Sequence, residues 1–128
     1  MKIFTSRFSY RELGSSGLVK ISIASRPPRS RVGYRVISYR RLMPDNIELG
    51  DRFDWRYLAR LEMYGVELIS DELRGLSGGG DSVLLCNENV VAGETCHRRL
   101  FAEWWAEKTG EEVMELEDVV AGVQEVLF

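Results

Sequence analysis

A short apolar segment, SVLLC at residues 82–86, restricts the fold more than any other part of the sequence. An apolar run of this length without alternation is typical of a strand that is buried on both faces of a parallel sheet. Residues 96–109 follow it and are predicted to form a helix. The inward face of this helix is expected to hold Leu100, Phe101, Trp104 and Trp105. Residues 111–116 (EEVMEL) then alternate like another strand, and this order predicts a mostly parallel sheet with 82–86 near its centre.

The rest of the chain supplies further strands and helices. Strands are predicted at residues 2–9, 18–25 and 34–39, where β-branched residues are frequent or apolar and polar residues alternate. Residues 55–76 have helical spacing, and Gly65 is expected to divide them into two helices. The inward face of this region is expected to include Trp55, Leu58, Leu61, Leu68, Leu73 and Leu76.

The complete pattern predicts one compact α/β domain over residues 1–128. It has three layers, a mostly parallel central sheet flanked by helices, and residues 117–128 form an amphipathic closing helix. Open sheets of this class bind ligands at the carboxyl ends of their strands. We therefore expect a functional site at that edge.

The composition is that of a globular intracellular protein. Apolar residues make up 45% of the 128 residues, and no apolar run approaches the roughly 20 residues of a membrane span. The first ten residues lack the features of a signal peptide. We expect a cytoplasmic protein with no membrane partner and reduced cysteines, and the oligomeric state is left open. Arginine outnumbers lysine, as in many thermophiles, in which intracellular disulfides do occur.

Charge is unevenly distributed along the chain. Residues 1–64 contain 13 basic and 6 acidic side chains, a net charge of +7, whereas residues 65–128 contain 4 and 14, a net charge of −10. Either the two halves neutralise each other across the fold, or the basic half presents a surface to an anionic partner.

The basic half contains an arginine-rich segment, residues 25–41, that has no acidic residue. Its arginines and tyrosines are Arg26, Arg29, Arg31, Tyr34, Arg35, Tyr39, Arg40 and Arg41. Arginines interleaved with aromatic residues can bind a phosphate backbone and stack on bases. Because the charge is spread over a long loop, a nucleic acid is favoured over a small molecule, although no known nucleic-acid-binding motif is present. The alternative is that these arginines pair with the acidic half or contact only solvent.

All thiol and imidazole groups of the chain lie between residues 86 and 97. The end of the predicted central strand and the start of the next helix together supply the candidate ligand-binding residues Cys86, Asn87, Glu88, Cys96, His97 and Arg98. Strand carboxyl ends and helix amino ends meet at one edge of an α/β sheet, so these side chains are expected to share one site.

Several chemistries fit this cluster. The spacing disfavours zinc, because there is no Cys-x-x-Cys pair, so no metal or cofactor is predicted. Cys96 in the first turn of a helix could be a thiolate nucleophile, with Glu88 or Cys86 as further catalytic candidates. Cys86 and Cys96 could instead form a disulfide. Free amides with Arg98 or Arg99 could bind an anion, or the whole cluster could be structural.

The second half also resembles a protein family, known as domain of unknown function number 488, best over residues 40–117. The segments that carry the resemblance are RFDWRYLARL (52–61), LLCNE (84–88), CHRRLFAEWW (96–105) and GEEVMEL (110–116). The resemblance implies an α/β fold and a site at Cys86, Glu88, Cys96, His97 and Arg98, but no particular reaction. Where the family has an acidic residue after its second strand, this chain has Ser22.

These observations predict binding of a nucleic acid, a nucleotide or another phosphate ligand at the carboxyl edge of the sheet. The Cys86–Arg98 cluster forms one wall of the predicted site, and Arg26, Arg29 and Arg31 form the other. The alternatives are a small enzyme that uses Cys96 or Glu88 at the same place, and a structural protein with a disulfide.

Overall fold

The computed structural model describes residues 1–29, 31–44, 53–88 and 97–117, and within them five parallel strands form one sheet. The strands are β1 (Ile3–Arg7), β2 (Val19–Ser22), β3 (Ile37–Ser38), β4 (Ser82–Cys86) and β5 (Met114–Glu115). Their spatial order is β3-β2-β4-β1-β5, and each neighbouring pair is parallel. The α/β fold class and the central position of residues 82–86 are confirmed.

Three α-helices accompany the sheet in the described residues: α1 (Phe53–Tyr64), α2 (Val66–Ser77) and α3 (His97–Thr109). The predicted division at Gly65 is confirmed, because its φ of 80° lies in a region that side chains with a Cβ rarely adopt. Gly110 ends α3 in the same way, with a φ of 74°. Within the described part of the chain, no helix has both the length and the apolar character needed to cross a bilayer.

The core lies between β4 and the helices. All five residues of β4 are buried, as are the predicted inward residues Phe101, Trp104 and Trp105 of α3. The expected inward face of residues 55–76 is wrong at two positions, because Trp55 is 68% exposed and Leu68 is 39% exposed. Tyr57 and Leu61, one turn apart, form the buried face instead, and the Tyr57 hydroxyl donates a hydrogen bond to the Leu42 carbonyl at 2.6 Å.

β4 has its predicted bounds, whereas the other four strands are shorter than predicted, and β3 and β5 are reduced to two residues each. Only Ile37 and Ser38 pair with β2, because residues 40–42 turn into a short 3-10 helix. The predicted closing helix at 117–128 lies outside the described residues, except for Glu117.

Two side chains that follow β3, those of Tyr39 and Arg41, form polar contacts with α2. Arg41 forms an ion pair with Glu72, and the Tyr39 hydroxyl donates to the same carboxylate at 2.9 Å. Hydrogen bonds from Arg41 and Tyr39 hold the pKa of Glu72 below its usual value of 4.5. Arg41 therefore pairs with the acidic half of the chain, as the alternative interpretation of the arginine-rich segment predicts for it.

This carboxylate should make a small, pH-dependent contribution to stability. Because its pKa is lower in the folded state, the contribution is present above pH 4.5 and is lost as the pH falls through the folded pKa. We expect Glu72→Gln to be slightly less stable than wild type at pH 7, on the scale of a partly exposed ion pair. The two should converge at acidic pH in urea unfolding curves. Asp71→Asn, an exposed change on the same helix, is the control, and an equal effect of both substitutions would contradict the prediction.

Candidate anion-binding site

A cavity of about 640 Å³ opens at the carboxyl edge of the sheet. The described residues that line it come from three parts of the chain: Arg7, Phe8, Ser9, Tyr10, Arg11, Gly14, Arg29, Arg31, Val32, Gly33, Tyr34 and Asn87. The first part continues from the end of β1, the second follows β2, and Asn87 follows β4. Since β1, β4 and β2 are neighbours and parallel, their carboxyl ends bring these segments to one place.

Asn87 fixes the arginine-rich loop above the end of β4. Its Oδ1 accepts a hydrogen bond from the backbone N–H of Arg29 at 2.8 Å, and its Nδ2 donates to the carbonyl of Pro27 at 3.1 Å. Farther along the loop, the Tyr34 hydroxyl donates to the carbonyl of Phe8 at 2.7 Å. The hydrogen bonds of Asn87 tie the loop to the end of β4, and that of Tyr34 ties it to the segment after β1. The loop therefore forms one wall of the cavity.

Positive charge dominates the cavity. Arg11, Arg29 and Arg31 are exposed, whereas Arg7 is partly buried and forms an ion pair with Glu117 at 2.5 Å. Burial raises the pKa of Tyr10, and the carboxylates of Glu12 and Glu117 raise it further. The Tyr10 phenol is therefore neutral at physiological pH, and the charged residues of the lining are its four arginines.

His97 lies in the core rather than on the cavity wall. Its Nε2 donates to the backbone carbonyl of Ile23 at 2.6 Å and lies 4.0 Å from Sγ of Cys86. The His97 and Tyr57 rings make an edge-to-face contact, with 5.4 Å between their centroids. These contacts join the start of α3 to the ends of β2 and β4.

Arg98 is fully buried beside an equally buried carboxylate. Its Nε and Nη2 donate to the two oxygens of Glu115 at 3.0 and 2.8 Å. The Thr5 hydroxyl also donates to Glu115, at 2.8 Å, and Arg99 donates to Thr5 Oγ1 at 2.9 Å. A carboxylate of the chain itself therefore occupies two of the donors of Arg98, and this network attaches α3 to β1 and β5.

The structure thus separates the predicted site residues into groups. Asn87, Arg29 and Arg31 line the cavity, and Arg26 is exposed on the same loop. Cys86 is only 1% exposed, and Glu88 is partly buried just after β4. The described residues contain no group of three His, Cys, Asp or Glu side chains placed to hold a metal ion.

Cys96 lies outside the described residues, so the disulfide and thiolate hypotheses stay predictions.

The sequence interpretation missed the residues that β1 contributes. Arg7, Tyr10 and Arg11 line the cavity, yet none was a candidate. The sequence does indicate a contribution from this segment. Parallel strands end at a common edge, and the first predicted strand is also followed by an arginine, Arg11.

Comparison with family models, curated proteins and solved structures found no match to the sequence. The resemblance to domain of unknown function number 488 therefore stays a prediction.

Proposed function

We propose that the protein binds the phosphate groups of a nucleic acid or nucleotide in the cavity at the carboxyl edge of its sheet. The observation that carries this proposal is the presence of four arginines, Arg7, Arg11, Arg29 and Arg31, in one concave lining. Guanidinium groups bind phosphate oxygens with two parallel hydrogen bonds, and arginine is favoured wherever phosphate is recognised.

The other lining residues favour a ligand that carries a base. Tyr10 and Tyr34, both partly buried, place aromatic rings in the lining beside the arginines, and rings of this kind stack on nucleobases. The volume of about 640 Å³ lies within the range of small-ligand sites. A mononucleotide, or the end of a nucleic acid, would therefore find phosphate-binding and base-binding groups in one cavity.

Fluorescence anisotropy with a labelled single-stranded oligonucleotide tests the proposal. Binding should be detectable at low salt and should weaken steeply as salt increases, because each phosphate contact releases counterions. An absence of binding at low salt, both for the oligonucleotide and for nucleoside monophosphates, would exclude the proposal.

Charge reversal locates the binding surface. The double substitution Arg11→Glu and Arg31→Glu should weaken binding by about tenfold or more at low salt and reduce the salt dependence. Both side chains are exposed, so the fold should tolerate the change. The matched control makes the same change of charge with Arg56→Glu and Arg74→Glu, at exposed arginines on α1 and α2 that do not line the cavity. Equal losses in the variant and the control would show that the attraction is not specific to the cavity.

A further inference from the structure

One arginine of the cavity already binds an anion, the carboxylate of Glu117. The Nε and Nη2 atoms of Arg7 donate to its two oxygens at 2.5 and 3.4 Å. The Arg7 side chain is 28% exposed and that of Glu117 is 16% exposed. This two-pronged contact is the arrangement with which arginine also holds a phosphate.

The charge of Glu117 also extends to the lining of the cavity. Burial, then the Glu12 carboxylate and lastly that of Glu117 raise the pKa of Tyr10, a second lining residue. An anion that approaches Arg7 therefore meets a carboxylate that competes for the guanidinium and repels the entering charge. Full use of Arg7 requires the ligand to replace Glu117.

We infer that the cavity selects a ligand with a terminal phosphate monoester over one that offers only internal phosphodiesters. This inference rests on the proposed function and specifies its ligand class. A monoester carries a charge of about −1.5 to −2 at pH 7 and has three strong acceptor oxygens. A diester carries a single negative charge, as the carboxylate does, so its exchange for Glu117 gains no charge.

The shape of the site agrees with this selection. The cavity is lined from β1 and from the loop after β2, and Asn87 and Tyr34 hold that loop in place. A chain end or a free nucleotide can enter such a concave site with its phosphate first. The terminal phosphate then meets Arg7 together with Arg11 and Arg31.

Four probes of the wild-type protein test the inference. They are an oligonucleotide with a 5′-phosphate, the same oligonucleotide with a 5′-hydroxyl, a nucleoside 5′-monophosphate and inorganic phosphate. The 5′-phosphate should tighten oligonucleotide binding by about tenfold, the effect of one additional strong charged contact. Competition by the other two probes shows whether a free nucleotide or phosphate alone suffices.

Glu117→Gln tests the exchange itself. A 5′-phosphate no longer has to break an ion pair in this variant, so the 5′-phosphorylated oligonucleotide should bind about two- to fivefold more tightly, the scale of a partly exposed ion pair. The preference for the 5′-phosphate should persist, because it comes from the second charge of the monoester. Glu111→Gln, the same change at an exposed position, is the control and should leave both affinities unchanged.

The outcomes separate the two proposals. Equal affinity for the 5′-phosphate and 5′-hydroxyl oligonucleotides in the wild type would overturn the inference and leave the proposed function standing. No binding of any probe would overturn both. An affinity for the 5′-phosphorylated oligonucleotide that is the same in wild type and in Glu117→Gln would show that the phosphate does not replace Glu117 at Arg7, and would overturn the inference.

Discussion

Replacement of Glu115 with alanine should lower the free energy of unfolding by about 3–5 kcal/mol, because it leaves the buried guanidinium of Arg98 without its counter-charge. Arg98 and Glu115 are both almost completely buried and share two hydrogen bonds. The substitution also removes the acceptor of the Thr5 hydroxyl. Urea unfolding followed by circular dichroism would measure the loss.

Two variants show whether charge is the cause. Glu111→Ala removes an exposed carboxylate from the same part of the chain and should change stability by less than about 0.5 kcal/mol. The double substitution Arg98→Met and Glu115→Leu removes both charges and should recover much of the loss, as apolar replacements of buried ion pairs often do. A loss below about 1 kcal/mol for Glu115→Ala would contradict the network described for α3.

Leu84→Ala should cost about 2–5 kcal/mol, because it opens a cavity in the central strand. Leu84 is fully buried and pairs in register with Ile21 of β2 on one side and Thr5 of β1 on the other. Strands on both sides limit how far the surroundings can close around the lost atoms. The free energy of unfolding in urea provides the measurement.

The same substitution at Leu68 is the matched control. Leu68 lies on α2 and is 39% exposed, so less apolar surface returns to water when it is shortened. We expect Leu68→Ala to cost less than about 1 kcal/mol. Similar losses at the two positions would show that β4 is not the centre of the core.

Local patterns in the sequence predicted much of the fold for physical reasons. The strand at 82–86 was recognisable because both of its faces are buried, and α3 because three large aromatic residues share one face. The division at Gly65 followed from the backbone freedom of glycine. The exposure of Trp55 was not predictable from spacing, because Tyr57 and Trp55 offer two overlapping apolar faces and tertiary packing selects between them.

The cavity opens at the edge where the sequence predicts a site, but only some of the predicted residues line it. Asn87, Arg29 and Arg31 line the cavity because strand ends meet there. The inward orientation of His97 and Arg98 depends on partners far away in sequence, the Ile23 carbonyl and Glu115. A single sequence does not reveal such pairs, since they form only when β2, β5 and α3 have taken their places.

Binding in the arginine-lined cavity is the central claim, and a titration followed by the backbone amide resonances of isotopically labelled protein tests it most directly. With a 5′-phosphorylated oligonucleotide at low salt, we predict chemical-shift changes concentrated in residues 7–11, 14, 29, 31–34 and 87, which line the cavity. The Arg11→Glu, Arg31→Glu variant should lose these changes. Shifts centred on the exposed face of α1, or no shifts at all, would contradict the account.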